Sequence, residues 1–135
     1  MIKRNWIESK FERVSGRWGA IYATMNPLGH IFISKRTYEL LGEPDAFHLL
    51  FDKINAAIGL KPTKKVMKNA YPALNRSGHG GRVIRSYSFI EEFGIRLNKT
   101  VRFINPEIDE DGILVLDLRK VRSAAKPKKK PVLEG

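Results

Sequence analysis

The chain repeats itself, and that repeat limits what it can fold into more than any other feature. Gly29 and Gly81, Ser34 and Ser86, Glu39 and Glu91, and Gly42 and Gly94 all stand 52 residues apart. Apolar positions keep the same offset: Ile31 with Val83, Tyr38 with Ile90, Leu41 with Phe93, Leu49 with Val101 and Phe51 with Phe103. An unbroken offset serving glycines and apolar side chains together implies two copies of one supersecondary unit. A unit this short cannot bury its own apolar face, so the two must share a core.

Local signals fill in the unit. Ile21 to Met25 has strand character, Asn26-Pro27-Leu28-Gly29 is a turn, and Ile31-Phe32-Ile33 is a second strand. Ser34 is placed to cap a short helix over Lys35 to Leu41, with Gly42 as its stop. Ala46 to Phe51 and Ala56 to Lys61 then read as a hairpin. The second copy reads as strand Val83 to Arg85, cap Ser86, helix Tyr87 to Phe93, stop Gly94, and a hairpin of Thr100 to Asn105 with Ile113 to Leu118. The expected fold class is mainly β with short helices (α+β): two tandem strand, short-helix and hairpin units in one barrel-like core. The boundaries are a basic and aromatic N-terminal arm, 1–19; a first unit, 20–61; a basic Gly/Pro connector, 62–80; a second unit, 81–120; and a disordered basic tail, 121–135.

Composition narrows the function. Hydrophobic residues make up 42% of the 135, enough for a core, and there is no cysteine, which removes disulfides, thiol nucleophiles and cysteine-ligated zinc. The apolar runs are too short to span a bilayer, and the N-terminus lacks the pattern of a secretory signal, so a soluble cytoplasmic protein is expected. The net charge is +11 and unevenly spread. No acid lies between Asp52 and Glu91, nor from Leu118 to Leu133, whereas Glu107, Asp109, Glu110 and Asp111 cluster. Segregated cations suit a polyanionic partner better than they suit solubility alone.

The stretches Gly29-His30-Ile31-Phe32-Ile33 to Leu41-Gly42, and Gly81-Arg82-Val83-Ile84-Arg85 to Phe93-Gly94-Ile95, resemble the AbrB/SpoVT swapped-hairpin DNA-binding unit. The resemblance covers roughly residues 20–61 and 75–118. It implies interleaved hairpins, either within one chain as in MraZ-type proteins or between chains, so a homodimer or an intrachain pseudo-dimer. It also implies a basic face that grips a duplex. The family's basic position falls on Arg82 in the second unit but on His30 in the first, and Ser34 and Ser86 replace its helix-starting proline.

No arrangement suggests catalysis, and neither a cofactor nor a metal is expected. His30, His48 and His79 lack partners at metal-ligand spacing, and the Gly78 to Gly81 loop lacks the Gly-Lys-Ser/Thr ending of a phosphate-binding loop. The expectation is a DNA-binding transcriptional regulator, with RNA as another possible ligand. The alternative is a basic module, such as a phage-type inhibitor, that binds an acidic protein. The candidate contacts are Arg82, Arg85, Lys35 and Arg36 on ordered elements, Lys64, Lys65 and Arg76 on the connector, and Lys128, Lys129 and Lys130 on the tail.

Overall fold

A computed structural model describes residues 21–76, 78 and 80–124. The N-terminal arm, Ser77, His79 and the tail lysines Lys128, Lys129 and Lys130 lie outside the described residues.

The chain opens with β1 (Ala23–Met25) and β2 (His30–Ile33), joined by the expected turn. Asn26 organises that turn: its Oδ1 accepts the backbone N–H of Leu28 at 3.0 Å and of His30 at 2.9 Å. Helix α1 (Lys35–Leu40) follows, with Ser34 as its cap; the Ser34 Oγ accepts the Thr37 N–H at 3.1 Å. Strands β3 (Ala46–Asp52) and β4 (Ala57–Thr63) form the long first hairpin, in register from Ala46 opposite Thr63 to Asp52 opposite Ala57.

The connector is more ordered than its glycines and prolines suggest. It holds β5 (Tyr71–Pro72) and β6 (Leu74–Asn75), separated by Ala73, whose N–H donates to Asp45 O at 2.8 Å. Then come β7 (Arg82–Arg85), α2 (Tyr87–Phe93), β8 (Val101–Phe103), β9 (Glu107–Ile108), β10 (Leu114–Asp117) and β11 (Val121–Ser123).

Two antiparallel sheets result, in the orders β11-β8-β1-β2-β7-β6 and β5-β3-β4-β10-β9. The mainly β, α+β class is thus as expected, but the sheets do not close into a barrel. Their inner faces supply the core: Met25, Ile31, Ile33, Ile84, Val101 and Phe103 from the first, Phe47, Ile58, Leu60, Leu114 and Leu116 from the second. Tyr38 and Leu41 of the α1 region and Phe89 and Ile90 of α2 complete it. Phe93 of α2 packs 5.1 Å from Phe51 of β3, ring centre to ring centre.

Three expectations are corrected. The second hairpin does not form: β8 pairs with β1 and β11, while β10 pairs with β4 and β9. Residues 106–112 are more than a link between those two expected partners, since β9 lies within them and pairs with β10. Each hairpin strand is then free to join the other unit's sheet. Nor is residue 121 the start of a disordered tail. Val121 to Ser123 is an edge strand, because Val121 packs against the core opposite Phe103. Finally, Ser86 takes the N-cap position of α2 but its side chain makes no capping bond. It is buried, and its hydroxyl donates across the molecule to Gly29 O.

The repeat itself is exact only in part. At the 52-residue offset the buried pair Thr37 and Tyr38 maps onto the buried pair Phe89 and Ile90. In the preceding strand the faces are inverted. Buried Ile33 maps onto exposed Arg85, and buried Ile84 onto half-buried Phe32. Strands β2 and β7 lie side by side with Ile31 opposite Ile84 and Phe32 opposite Val83. Since alternate residues point to opposite faces, this register, and not the sequence offset, decides which side chains turn inward.

Candidate nucleic-acid interface

The two sheets differ sharply in charge. The six strands that contain β1 and β2 carry Arg82, Arg85, Arg102 and Arg122 and no acid; the other five carry Asp52, Glu107 and Asp117 against one lysine, Lys61. The basic residues of the first sheet are sorted further by strand alternation. Met25, Ile31, Ile84, Val101 and Phe103 point into the core, so their neighbours point out.

The outward residues line up across the sheet. One row runs Arg122, Arg102, Thr24, Phe32, Val83 and Leu74, each opposite the next on the neighbouring strand. A flanking row holds Asn26, His30 and Arg85, with His30 opposite Arg85. On the other flank stand Tyr22, Ser34, Gly81 and Arg76; Ser34 N–H bonds Tyr22 O and Arg76 N–H bonds Gly81 O at 3.0 Å. At roughly 4.8 Å per strand, six strands make a face about 24 Å wide. Arg76, Arg85, Arg102 and Arg122 are all exposed on it.

Two of these arginines rest on aromatic rings. The guanidinium carbon of Arg102 lies 4.7 Å from the Tyr22 ring centre, and that of Arg76 lies 4.6 Å from the Phe32 ring centre. Arg76 lies beside Gly81, just before β7, and its guanidinium extends over Phe32 of β2. A Cβ on Gly81 would stand 2.8 Å from Ile33 O. His30 meets Phe32 edge-on at 6.4 Å.

The arginines and lysines singled out in the sequence do not all converge. Arg85 and Arg76 reach the face. Arg82 sits on the opposite side of β7 from Arg85, and its Nη1 donates to Asn75 Oδ1 at 3.1 Å, Gly80 O at 2.9 Å and Gly81 O at 3.0 Å. Its guanidinium also lies 4.2 Å from the Tyr38 ring centre, so it braces the glycine loop against α1. Lys35 lends its stem to the same loop, since a Cβ on Gly80 would come within 2.7 Å of it. Arg36 is exposed and paired with Glu39 at 3.5 Å. Lys64 and Lys65 follow β4 on the other sheet, where Lys64 shares a shallow groove with Glu43 and Asp45.

Two residues of the face escaped the sequence reading. Arg102 went unnoticed although Val101-Arg102-Phe103 is an alternating pattern that turns the middle residue outward. Arg122 was assigned to the tail, and its role depends on a strand too short to recognise.

A sheet face of guanidinium groups with no acid among the described residues beside them is suited to holding a polyanion, because each cation displaces counterions from phosphate. Among the described residues no cluster of three or more metal-ligating side chains occurs, and no helix is long and apolar enough to cross a membrane. Compared with known proteins, the chain matches no family model, no curated protein and no solved structure.

Proposed function

We propose that this chain binds nucleic acid, duplex DNA foremost, on the outer face of its six-stranded sheet, and that it acts as a cytoplasmic transcriptional regulator. The observation that carries the reading is the alignment of Arg76, Arg85, Arg102 and Arg122 on one face without an acid among them. Spacing favours a duplex. Arg102 on β8 and Arg85 on β7 are three strand spacings apart, about 14 Å, close to the roughly 12 Å width of a major groove. Single-stranded RNA is less well served. The ring faces of Tyr22 and Phe32 on which bases would stack are occupied by arginines.

The exchange of strands between the repeats supports kinship with the swapped-hairpin arrangement. First-unit β1 pairs with second-unit β8, and β4 pairs with β10. On this reading the two units form a pseudo-dimer within one chain.

The test is fluorescence anisotropy of labelled duplex DNA, single-stranded DNA and RNA at 50 and 200 mM salt. Each phosphate contact would weaken duplex binding about threefold over that range. The variant Arg102→Ala/Arg122→Ala should bind duplex more weakly and with a shallower salt dependence. Duplex affinity that ignores salt, or survives that double substitution unchanged, would refute the reading.

A further inference from the structure

We infer that Arg76 and Arg102 are the specificity-determining residues of this face, reading guanine edges in the major groove, and that Phe32 and Tyr22 are the positioning residues that aim them. The inference rests on the reading of the face as a duplex interface, and it divides the four arginines into two kinds.

Arg76 and Arg102 each lie over a ring, at 4.6 and 4.7 Å. Among the described residues, neither Arg85 nor Arg122 has such a ring. A free arginine side chain samples many rotamers, and holding it in one orientation costs affinity at the moment of contact. A guanidinium laid on an aromatic face has its plane fixed beforehand, while its fork of N–H donors stays open along the edges. Phosphate binding gains little from this, because a phosphate accepts from many directions. A base edge does gain: the paired O6 and N7 acceptors of guanine demand both donors of the fork at a set angle.

Position points the same way. The rings belong to Phe32 of β2 and to Tyr22, just before β1, the two central strands of the six, although their arginines come from β8 and from just past the end of β6. Both guanidinium groups are therefore drawn inward. Thr24 is opposite Phe32, and Tyr22 is two residues before Thr24 on the same side, which sets the Tyr22 and Phe32 backbones diagonally about 7–8 Å apart. A groove about 12 Å wide spans little more than two strand spacings of this face. With β1 and β2 facing the groove, Arg122 at the sheet edge and Arg85 on β7 are left toward the backbones.

The experiment is selection of duplexes from a random library by the full chain, followed by anisotropy on the preferred duplex and on versions with single guanines replaced. The parent should lose about fivefold to 150-fold in affinity when a contacted guanine is changed to adenine. Arg102→Lys and Arg76→Lys keep the charge but lose the fork. Each should erase discrimination at its own guanine while leaving affinity for unrelated duplex close to the parent's. Tyr22→Leu should weaken the same discrimination as Arg102→Lys without altering the salt slope, and Tyr22→Phe should preserve it. Arg122→Ala should weaken binding to every sequence alike and lower the salt slope by about one. Guanine preference that survives both lysine substitutions overturns the inference. So does preference lost on Arg122→Ala. A parent that binds duplex with steep salt dependence but no base preference also overturns it and leaves the interface reading intact; a parent that binds no duplex removes both.

Discussion

The Ser86 hydroxyl donates its hydrogen bond to the carbonyl oxygen of Gly29, 57 residues earlier in the chain, and leaves the first turn of its own helix without a side-chain cap. The Ser86 N–H reaches the same oxygen at 2.9 Å. The turn between β1 and β2 is thereby tied to the start of α2, and each repeat unit is fastened to the other. Ser86→Ala should cost about 1 kcal/mol, the net worth of one hydrogen bond. That would lower the melting temperature by a few degrees. The far-ultraviolet circular dichroism of the folded protein should not change. An unchanged melting temperature would show that the bond contributes nothing.

Gly29 is the more sensitive end of that tie. Its φ is +88°, and a Cβ would stand 2.7 Å from Ile90 Cδ1 and 3.1 Å from the Tyr87 Cα. The first neighbour can rotate away but the second is backbone. Gly29→Ala therefore combines left-handed strain of about 1–2 kcal/mol with a helix forced outward, and should destabilise more than Ser86→Ala. Denaturant unfolding of the two variants checks the order, and the reverse order would mean that the helix yields freely.

Arg82 and Arg85, three residues apart on β7, should behave as opposites. Arg82 holds Asn75, Gly80 and Gly81 and lies on Tyr38, whereas Arg85 is exposed on the outer face. Arg82→Ala should lower stability by about 1–3 kcal/mol, because hydrogen bonds from a charged donor and packing on Tyr38 are lost together. Arg85→Ala should stay within about 0.5 kcal/mol of the parent, as surface changes usually do, and weaken duplex binding. Thermal melts and anisotropy on both variants give the comparison; a destabilised Arg85→Ala with a stable Arg82→Ala would reverse the assignment.

That contrast also marks where sequence reasoning reached its limit. Glycines and serines at one offset located both helices and the turn before β2, since those signals are local. The long β3–β4 hairpin was legible for the same reason. Facing was not legible. Ile31 and Val83 look equivalent in sequence, yet the β2–β7 register turns one inward and the other outward. Arg82 looked like a surface contact because its acceptors, two glycine carbonyls and Asn75, have no signature in sequence. Arg102 and Arg122 join the face only because β8 and β11 pair beside β1, contacts made across dozens of residues.

Asp52 gives the fold an acid-sensitive joint. Its carboxylate accepts the Asn55 side-chain N–H at 2.8 Å and the backbone N–H groups of Asn55 and Ile54 at 3.0 Å each, closing the tip of the β3–β4 hairpin. These bonds, the Asn55 side chain foremost, hold its pKa below the ordinary carboxylate value. A lowered folded pKa means that protons bind the unfolded chain more readily. The stabilisation is therefore present above the unfolded value, near 3.9, and is lost as pH falls through the lowered folded one. Melting temperatures of the parent and Asp52→Asn should differ most at pH 6 and converge below pH of about 4. A gap that stays constant down to pH of about 2.5 would show that the carboxylate charge is irrelevant to the turn.

The same hairpin tip holds a residue that the fold would do better without. Ala56 adopts φ of +53°, in the left-handed region, between the Asp52 turn and the start of β4. Its carbonyl accepts the Leu118 N–H at 2.9 Å, so the backbone cannot relax without losing a bond to the segment after β10. An alanine held there stores about 1–2 kcal/mol of steric strain. Ala56→Gly removes that strain, and the greater freedom of glycine in the unfolded chain takes back part of the gain. The net expectation is a stabilisation of about 0.5–1 kcal/mol, read as a melting temperature a few degrees higher. Ala57→Gly, one residue on, sets the sign. Ala57 lies in regular β4 pairing opposite Asp52 and Asp117, where a glycine relieves nothing and loosens the strand. If both substitutions lower the melting temperature, the left-handed conformation at Ala56 costs the fold nothing, and the Asp52 turn would be holding an unstrained chain.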